Sequence, residues 1–194
     1  WEVSLEAEYF GDRTYFNLSY VWSHYYGNFD QDNTTTNQDQ NIFIGSSNYG
    51  DGPGRYSWDN KYGTLAGDKP HLLKAFGYYT TDWEANIGAY LVYQSGQPWE
   101  NWDGAYYGYS SGTIRYSEPA GSRRSASHWQ LDLSYNQNFT FADKYVLRFR
   151  ADLFNVFDRQ TGYRINPLVT STTYGEPTEF YNPRRLQLSV GFDF

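Results

Sequence analysis

The sequence predicts an all-β chain, an antiparallel transmembrane β-barrel segment of about seven strands, with short turns at one end and long loops at the other. Three observations predict it. Hydrophobicity alternates with a period of two almost throughout, the spacing of a strand with one apolar and one polar face. Aromatic residues make up 21% of the chain, as Tyr 21, Phe 13 and Trp 7, and they crowd the ends of the alternating runs. The runs are joined alternately by short turns and by long polar loops, the layout of outer-membrane barrels.

In Trp1–Phe10 the odd positions Trp1, Val3, Leu5, Ala7 and Tyr9 are apolar, and Glu2, Ser4, Glu6 and Glu8 are polar. Gly11-Asp12-Arg13 signals a tight turn. Phe16, Leu18, Tyr20 and Trp22 then alternate with Asn17, Ser19, Val21 and Ser23. A two-residue turn at Asp12-Arg13 sets Tyr9 beside Phe16, Ala7 beside Leu18, Leu5 beside Tyr20 and Val3 beside Trp22. Register and pattern therefore agree.

Residues 27–69 read as a long loop, rich in Asn, Asp, Gly and Thr. His71–Thr80 is a weaker strand whose parity is ambiguous; placing Lys74 on the polar side turns Leu73, Ala75 and Tyr79 to the apolar one. After Thr81-Asp82, the positions Trp83, Ala85, Ile87, Ala89, Leu91 and Tyr93 alternate against Glu84, Asn86, Gly88, Tyr90, Val92 and Gln94. Residues 95–127 form a second long loop. Trp129, Leu131, Leu133, Tyr135 and Phe139 follow, then a short turn near Ala142-Asp143-Lys144. Tyr145, Leu147, Phe149, Ala151 and Leu153 make the next apolar face. A third loop spans 156–183, and the chain ends on Leu186, Leu188, Val190, Phe192 and Phe194.

The composition bounds the class. A length of 194 residues suits one domain. The mean hydropathy of -0.78 and the lack of any long apolar run predict no transmembrane helix. They are compatible with barrel strands, in which lipid-facing and lumen-facing residues average out. Cys 0 gives no disulfide framework, and Met 0 suggests a processed or excerpted chain. The net charge of -7 argues against nucleic acid as a partner.

The strand Trp129–Phe139 spans roughly 23 Å at about 3.3 Å per residue and a tilt of about 45°, close to the apolar band of a barrel. With the short turns placed in the periplasm, Tyr9, Phe16, Tyr79, Trp83, Phe139, Tyr145 and Phe194 form one aromatic ring. Trp1, Trp22, Tyr26, Tyr93 and Trp129 form the other. The opposite, lumen-facing side carries Glu2, Glu6, Glu8, Asn17, Lys74, Glu84, Asp132, Arg148, Arg150, Asp152 and Arg185. A soluble sandwich has the same period. The membrane reading is favoured by apolar faces nearly free of charge and bounded by aromatics.

Two stretches carry a resemblance. Ala151–Pro167, ADLFNVFDRQTGYRINP, and Tyr181–Phe194, YNPRRLQLSVGFDF, resemble the end of TonB-dependent outer-membrane receptors. The likeness is to the Oar-like group, which carries a carboxypeptidase-regulatory-like domain. Tyr93–Trp99, YQSGQPW, looks like a strand end and loop start of the same proteins. The resemblance implies a barrel of about 22 strands closed by a plug. The chain would be its C-terminal part, lacking the plug and the N-terminal strands. It implies TonB-dependent uptake or export of an unidentified substrate, without enzymatic activity or cofactor. The implied partners are outer-membrane lipid, the barrel assembly machinery, the TonB system through the plug, and the rest of the barrel. The terminal strand is the family's assembly signal, a role that carries over to Leu186, Leu188, Val190, Phe192 and Phe194. The same five residues are also lipid-facing positions of a strand, and the two roles are compatible.

Other candidates stay open. His24, His71 and His128 are widely spaced and read as polar rim residues rather than metal ligands. Asn28–Asn41 offers oxygen ligands suited to Ca²⁺ but lacks EF-hand spacing, so a solvated loop is the plainer reading. Trp99, Trp102, Tyr106, Tyr107 and Tyr109 could stack a sugar, grip a peptide, or pack the loop on itself. No nucleophile motif marks a catalytic site. Two alternatives stand beside the transporter. One is a complete small outer-membrane barrel with a structural or adhesive role; the other is a secreted carbohydrate-binding β-sandwich.

Overall fold

The computed structural model describes residues 1–27, 60, 62–103, 117–142 and 144–194. In chain order the strands are β1 (Glu2–Phe10), β2 (Thr14–Ser23), β3 (Tyr26–Gly27), β4 (Gly63–Thr64), β5 (His71–Thr80), β6 (Asn86–Gln94) and β7 (Pro98–Trp99). They continue as β8 (Arg123–Arg124), β9 (His128–Phe141), β10 (Tyr145–Phe154), β11 (Gly162–Ile165), β12 (Pro177–Phe180) and β13 (Arg185–Asp193). The long ones form a single seven-stranded antiparallel sheet in the order β1-β2-β5-β6-β9-β10-β13. Each is hydrogen-bonded to its sequential neighbour, and β1 and β13 are the two edges.

The register follows the alternation. Tyr9 pairs with Phe16, Ala7 with Leu18, Leu5 with Tyr20 and Val3 with Trp22, as the hairpin predicts. The ambiguous strand is settled by its pairs, Leu18 with Ala75 and Tyr20 with Leu73. Leu73 in turn meets Tyr93, and Ala75 meets Leu91. Leu91 pairs with Leu131, Leu133 with Leu153, and Phe149 with Val190. One apolar face thus runs across all seven strands, interrupted at Gln137. Lys74, Asp132, Arg150 and Asp152 share the other.

No second layer covers the apolar face among the described residues. Leu5 is 63% exposed, Leu188 60% and Val190 71%. A sandwich needs a second broad sheet; the further sheets among the described residues are the two-stranded pairs β3-β4, β7-β8 and β11-β12. Buried hydrophobic side chains are few, Leu65, Ala85 and Ala120. Apart from Ala85, the tightest burial is polar, at Asp68, Glu100, His128, Asp152 and Asn155. Apart from Asp152, these lie at or beyond the loop end of the sheet.

The turn between β5 and β6 differs from expectation. Strand pairing stops at Thr80 with Asn86, so Trp83 and Glu84 lie in the turn rather than in the strand. Thr81 closes it. Its hydroxyl accepts from the Ala85 amide at 2.9 Å and donates to the Ala85 carbonyl at 3.2 Å. Glu84 takes the left-handed conformation, φ 62°, and stands exposed at the sheet's end instead of facing the polar side. Beside it Arg13 and Asp82 form an ion pair between two neighbouring turns.

The long loops are also more ordered than polar composition suggested. The first contributes the β3–β4 pair, the second β7–β8, and the third the β11–β12 hairpin. Tyr26, expected in the loop-end ring, sits in β3, off the main sheet. The Asn28–Asn41 stretch lies outside the described residues.

Candidate functional site

Three surfaces carry chemistry: the apolar face with its aromatic rims, the polar face, and the cap built by the loops.

At the turn end Tyr9, Phe16, Tyr79, Trp83, Phe139, Tyr145 and Phe194 are all exposed. At the loop end Trp1 and Trp22 meet edge to face at 4.8 Å, and Trp129 meets Phe157 at 5.3 Å. The Tyr20 hydroxyl and His71 Nδ1 are 2.8 Å apart, which anchors a polar group at that rim. Leu186, Leu188, Val190 and Phe192 lie on one face of the edge strand β13, opposite Leu153, Ala151, Phe149 and Leu147 of β10. Phe194 follows the strand and is the most exposed of the series. One residue breaks the apolar face. Gln137 is buried there, donating to the carbonyls of Trp83 at 3.0 Å and Asn138 at 3.1 Å and accepting from the Tyr135 hydroxyl.

On the polar face two ion pairs form. Arg150 Nε donates to Asp152 Oδ2 at 2.7 Å, and Arg148 to Asp193 at 2.6 Å. The Arg185 guanidinium lies 4.5 Å from the centre of the Phe154 ring. Asp132 accepts from Gln130 and from the Asn155 amide, each at 2.7 Å. The predicted polar-face residues Asp132, Arg148, Arg150, Asp152 and Arg185 thus lie on the three strands β9, β10 and β13 at one side of the sheet. Near the turn end the same face carries a cluster the alternation hid: Tyr15 contacts Phe10 at 5.0 Å, Tyr78 at 5.6 Å and Phe76 at 5.8 Å.

The loop cap is organised by two residues that sequence reasoning missed. Asp68 is 1% exposed and gathers three segments. It accepts from the Tyr25 amide at 2.6 Å, contacts His24 Nδ1 at 3.2 Å and pairs with Arg124. Arg124 also donates to the carbonyls of Asp68 at 2.9 Å and Gly96 at 2.7 Å. Gly96 is required there, since a Cβ would lie 1.9 Å from the Ser125 carbonyl oxygen.

Asn155 does the same for the third loop. Its side chain accepts from the Arg159 amide at 2.9 Å and donates to the Asn182 carbonyl at 2.8 Å, at a φ of 51°. Asn tolerates that conformation better than most residues. The segment 151–167 quoted for its resemblance contains this residue, so its position was visible but its role was not. Asn155→Ala should cost about 1–3 kcal/mol by leaving the partly buried Arg159 amide and Asn182 carbonyl without this partner. Hydrogen exchange at the Arg159 amide should accelerate; unchanged exchange there would show that Asn155 does not hold the loop.

The third loop docks on the sheet through His128. Its ring lies flat on Tyr181, 3.6 Å between centroids and 1° between planes, and Nδ1 is 3.1 Å from Thr161 Oγ1. Gln94 donates to the Tyr181 hydroxyl, and Arg159 lies over Trp129 at 5.4 Å. The three histidines therefore have separate partners: Asp68 for His24, Tyr20 for His71, Tyr181 for His128.

The second loop's proposed contact residues are only partly described; Tyr106, Tyr107 and Tyr109 lie outside the described residues. Trp99 packs against Tyr174 at 6.1 Å, with Arg123 5.2 Å from its ring centre. Trp102 donates to Glu100 at 3.3 Å, and its backbone bonds Pro167 and Val169. The Trp99 ring and the Trp102 backbone thus join the second loop to the third. Burial alone would raise the Glu118 carboxyl, but Arg123 at 2.7 Å and the Asn101 amide at 2.8 Å hold it below its usual range.

No family model, curated protein or solved structure matches this chain.

Proposed function

We propose that the chain is part of the wall of a bacterial outer-membrane β-barrel, and that the barrel is a TonB-dependent transporter of the Oar-like type. The observation that carries the membrane reading is the uncovered apolar face, extending over all seven strands and bordered by aromatics at both ends. Soluble proteins rarely expose contiguous apolar surface beyond a few hundred Å². Lipid is the solvent that suits it, and the aromatic borders match the two interfaces.

The free edges point the same way. Backbone groups left unpaired in hydrocarbon cost several kcal/mol each, so β1 and β13 need further strands of the same barrel beside them. The transporter reading rests on the resemblance at residues 151–167 and 181–194. Under it Leu186, Leu188, Val190, Phe192 and Phe194 present β13 to the assembly machinery by edge pairing. Transport, in or out, would draw on TonB acting through a plug against the polar face. No step in this role requires a catalytic group.

The chain has Cys 0, so single cysteines report topology cleanly within it. Ser122→Cys and Thr172→Cys in the full-length protein should react with a membrane-impermeant maleimide on intact cells. Asp12→Cys and Asp82→Cys should react only after the outer membrane is opened. Equal labelling of all four on intact cells would sink the membrane reading; the reverse pattern would invert the orientation.

A further inference from the structure

A ladder of rings climbs from the apolar face past the end of the sheet. Trp22 meets Trp1 at 4.8 Å, Trp1 meets His24 at 6.2 Å, His24 meets Tyr26 at 5.4 Å, and Tyr26 meets Tyr62 at 4.9 Å. The four aromatic residues other than His24 are exposed, from 48% at Trp22 to 64% at Trp1 and Tyr62. Trp22 lies at the rim, opposite Val3 and His71. An ordinary aromatic belt would stop there. This one continues through His24 and Tyr26 onto the β3–β4 pair.

The position is informative. β2 ends at Ser23, and His24 and Tyr26 follow beyond the last pair of the main sheet. With Trp22 at the rim, the ladder continues from the apolar band to the level of the headgroup layer, roughly 5–8 Å thick on one side of a bilayer.

We propose that Trp1, Trp22, His24, Tyr26 and Tyr62 form a strip that binds the sugar headgroups of a glycolipid in the surrounding outer leaflet. The inference rests on the membrane reading and adds a partner to it. Aromatic rings with polar edges suit sugars, which offer an apolar ring face and hydroxyls at its rim. A phosphate headgroup would call for free cations. Among the described residues no Lys or Arg belongs to the strip; Arg124 is paired with Asp68, and Lys69 donates to Gln94 at 2.7 Å.

The strip is also preorganised. Tyr26 pairs with Thr64, Gly27 with Gly63, and the Leu65 amide bonds the Tyr25 carbonyl at 3.1 Å. His24 is oriented by Asp68 at 3.2 Å. Rings fixed before binding lose little entropy on contact.

The test uses the full-length protein in vesicles of phosphatidylethanolamine and phosphatidylglycerol, with and without lipopolysaccharide. Preferential association is read from lipopolysaccharide retained per protein after detergent extraction. The wild type should retain it, and Tyr26→Ala with Tyr62→Ala should weaken retention about tenfold, the weight of two ring contacts. Both positions are off the main sheet, and heat-modifiable migration verifies the barrel in each variant. Tyr26→Phe with Tyr62→Phe should keep most of the retention. If the alanine pair retains as much as the wild type, or the phenylalanine pair loses as much as the alanine pair, the proposal is overturned. Failure of the wild type to insert in either vesicle would instead overturn the membrane reading, and the strip with it.

Discussion

Leu133→Arg should destabilise the folded protein in vesicles by about 2–4 kcal/mol if, as proposed, it turns a cation toward lipid near the bilayer midplane. Leu133 lies between the rim residues Trp129 and Phe139 on β9, with Ala89 on one side and Leu153 on the other. It is 39% exposed in an entirely apolar neighbourhood. The adjacent Ser134→Arg should cost little. Its side chain lies on the polar face between Gly88 and Asp152, one leaving room and the other supplying a counter-charge. Reversible denaturant unfolding in phospholipid vesicles measures both. Equal penalties at the two positions would show that the faces are misassigned, and a negligible penalty at Leu133 would show that no lipid meets it.

The contrast between those neighbours is what made the sheet legible in the sequence. A period of two sorts side chains onto faces, and a slip by one residue would turn Val3, Leu5 and Ala7 away from Trp22, Tyr20 and Leu18. The first hairpin thereby fixes its own register, and the same logic carried through to Leu186 and Val190. The pattern failed where a local hydrogen bond outweighed it. Trp83 and Glu84 keep the alternation on paper, yet Thr81 bonds Ala85 and turns them into the connection. Gln137 fails differently: it occupies an apolar-face position because the Trp83 and Asn138 carbonyls and the Tyr135 hydroxyl satisfy it.

The loop cap was nearly illegible for a physical reason. Asp68 stands in Gly-Asp-Lys-Pro, which reads as a solvated turn. Its burial is set by partners 43 to 56 residues away in the chain, Tyr25, His24 and Arg124. No periodicity encodes a contact of that kind. Trp99 and Trp102, which suit either a ligand or loop packing, join the second loop to the third: the Trp99 ring meets Tyr174, and the Trp102 backbone bonds Pro167 and Val169.

Asp68→Ala should therefore undo the cap while leaving the sheet intact. The side chain of Asp68 is fully buried and Arg124 is 30% exposed, so water partly relieves the cation once its partner is gone. The expected cost is about 3 kcal/mol, the lower end for breaking a buried pair. It would be felt in loop docking, because every bond lost joins residues 24–25, 68 and 124 rather than strands of the main sheet. Amide exchange at Tyr25 should rise by about a hundredfold, the equivalent of that energy. Exchange in β9 and β10 should stay unchanged. Arg124→Ala should be costly too, since it strands a buried carboxylate. The double substitution should cost clearly less than the two single ones added together, because each already removes the shared pair. Strict additivity would mean that Asp68 and Arg124 act independently, and the idea of a single clasp joining the first and second loops would fall.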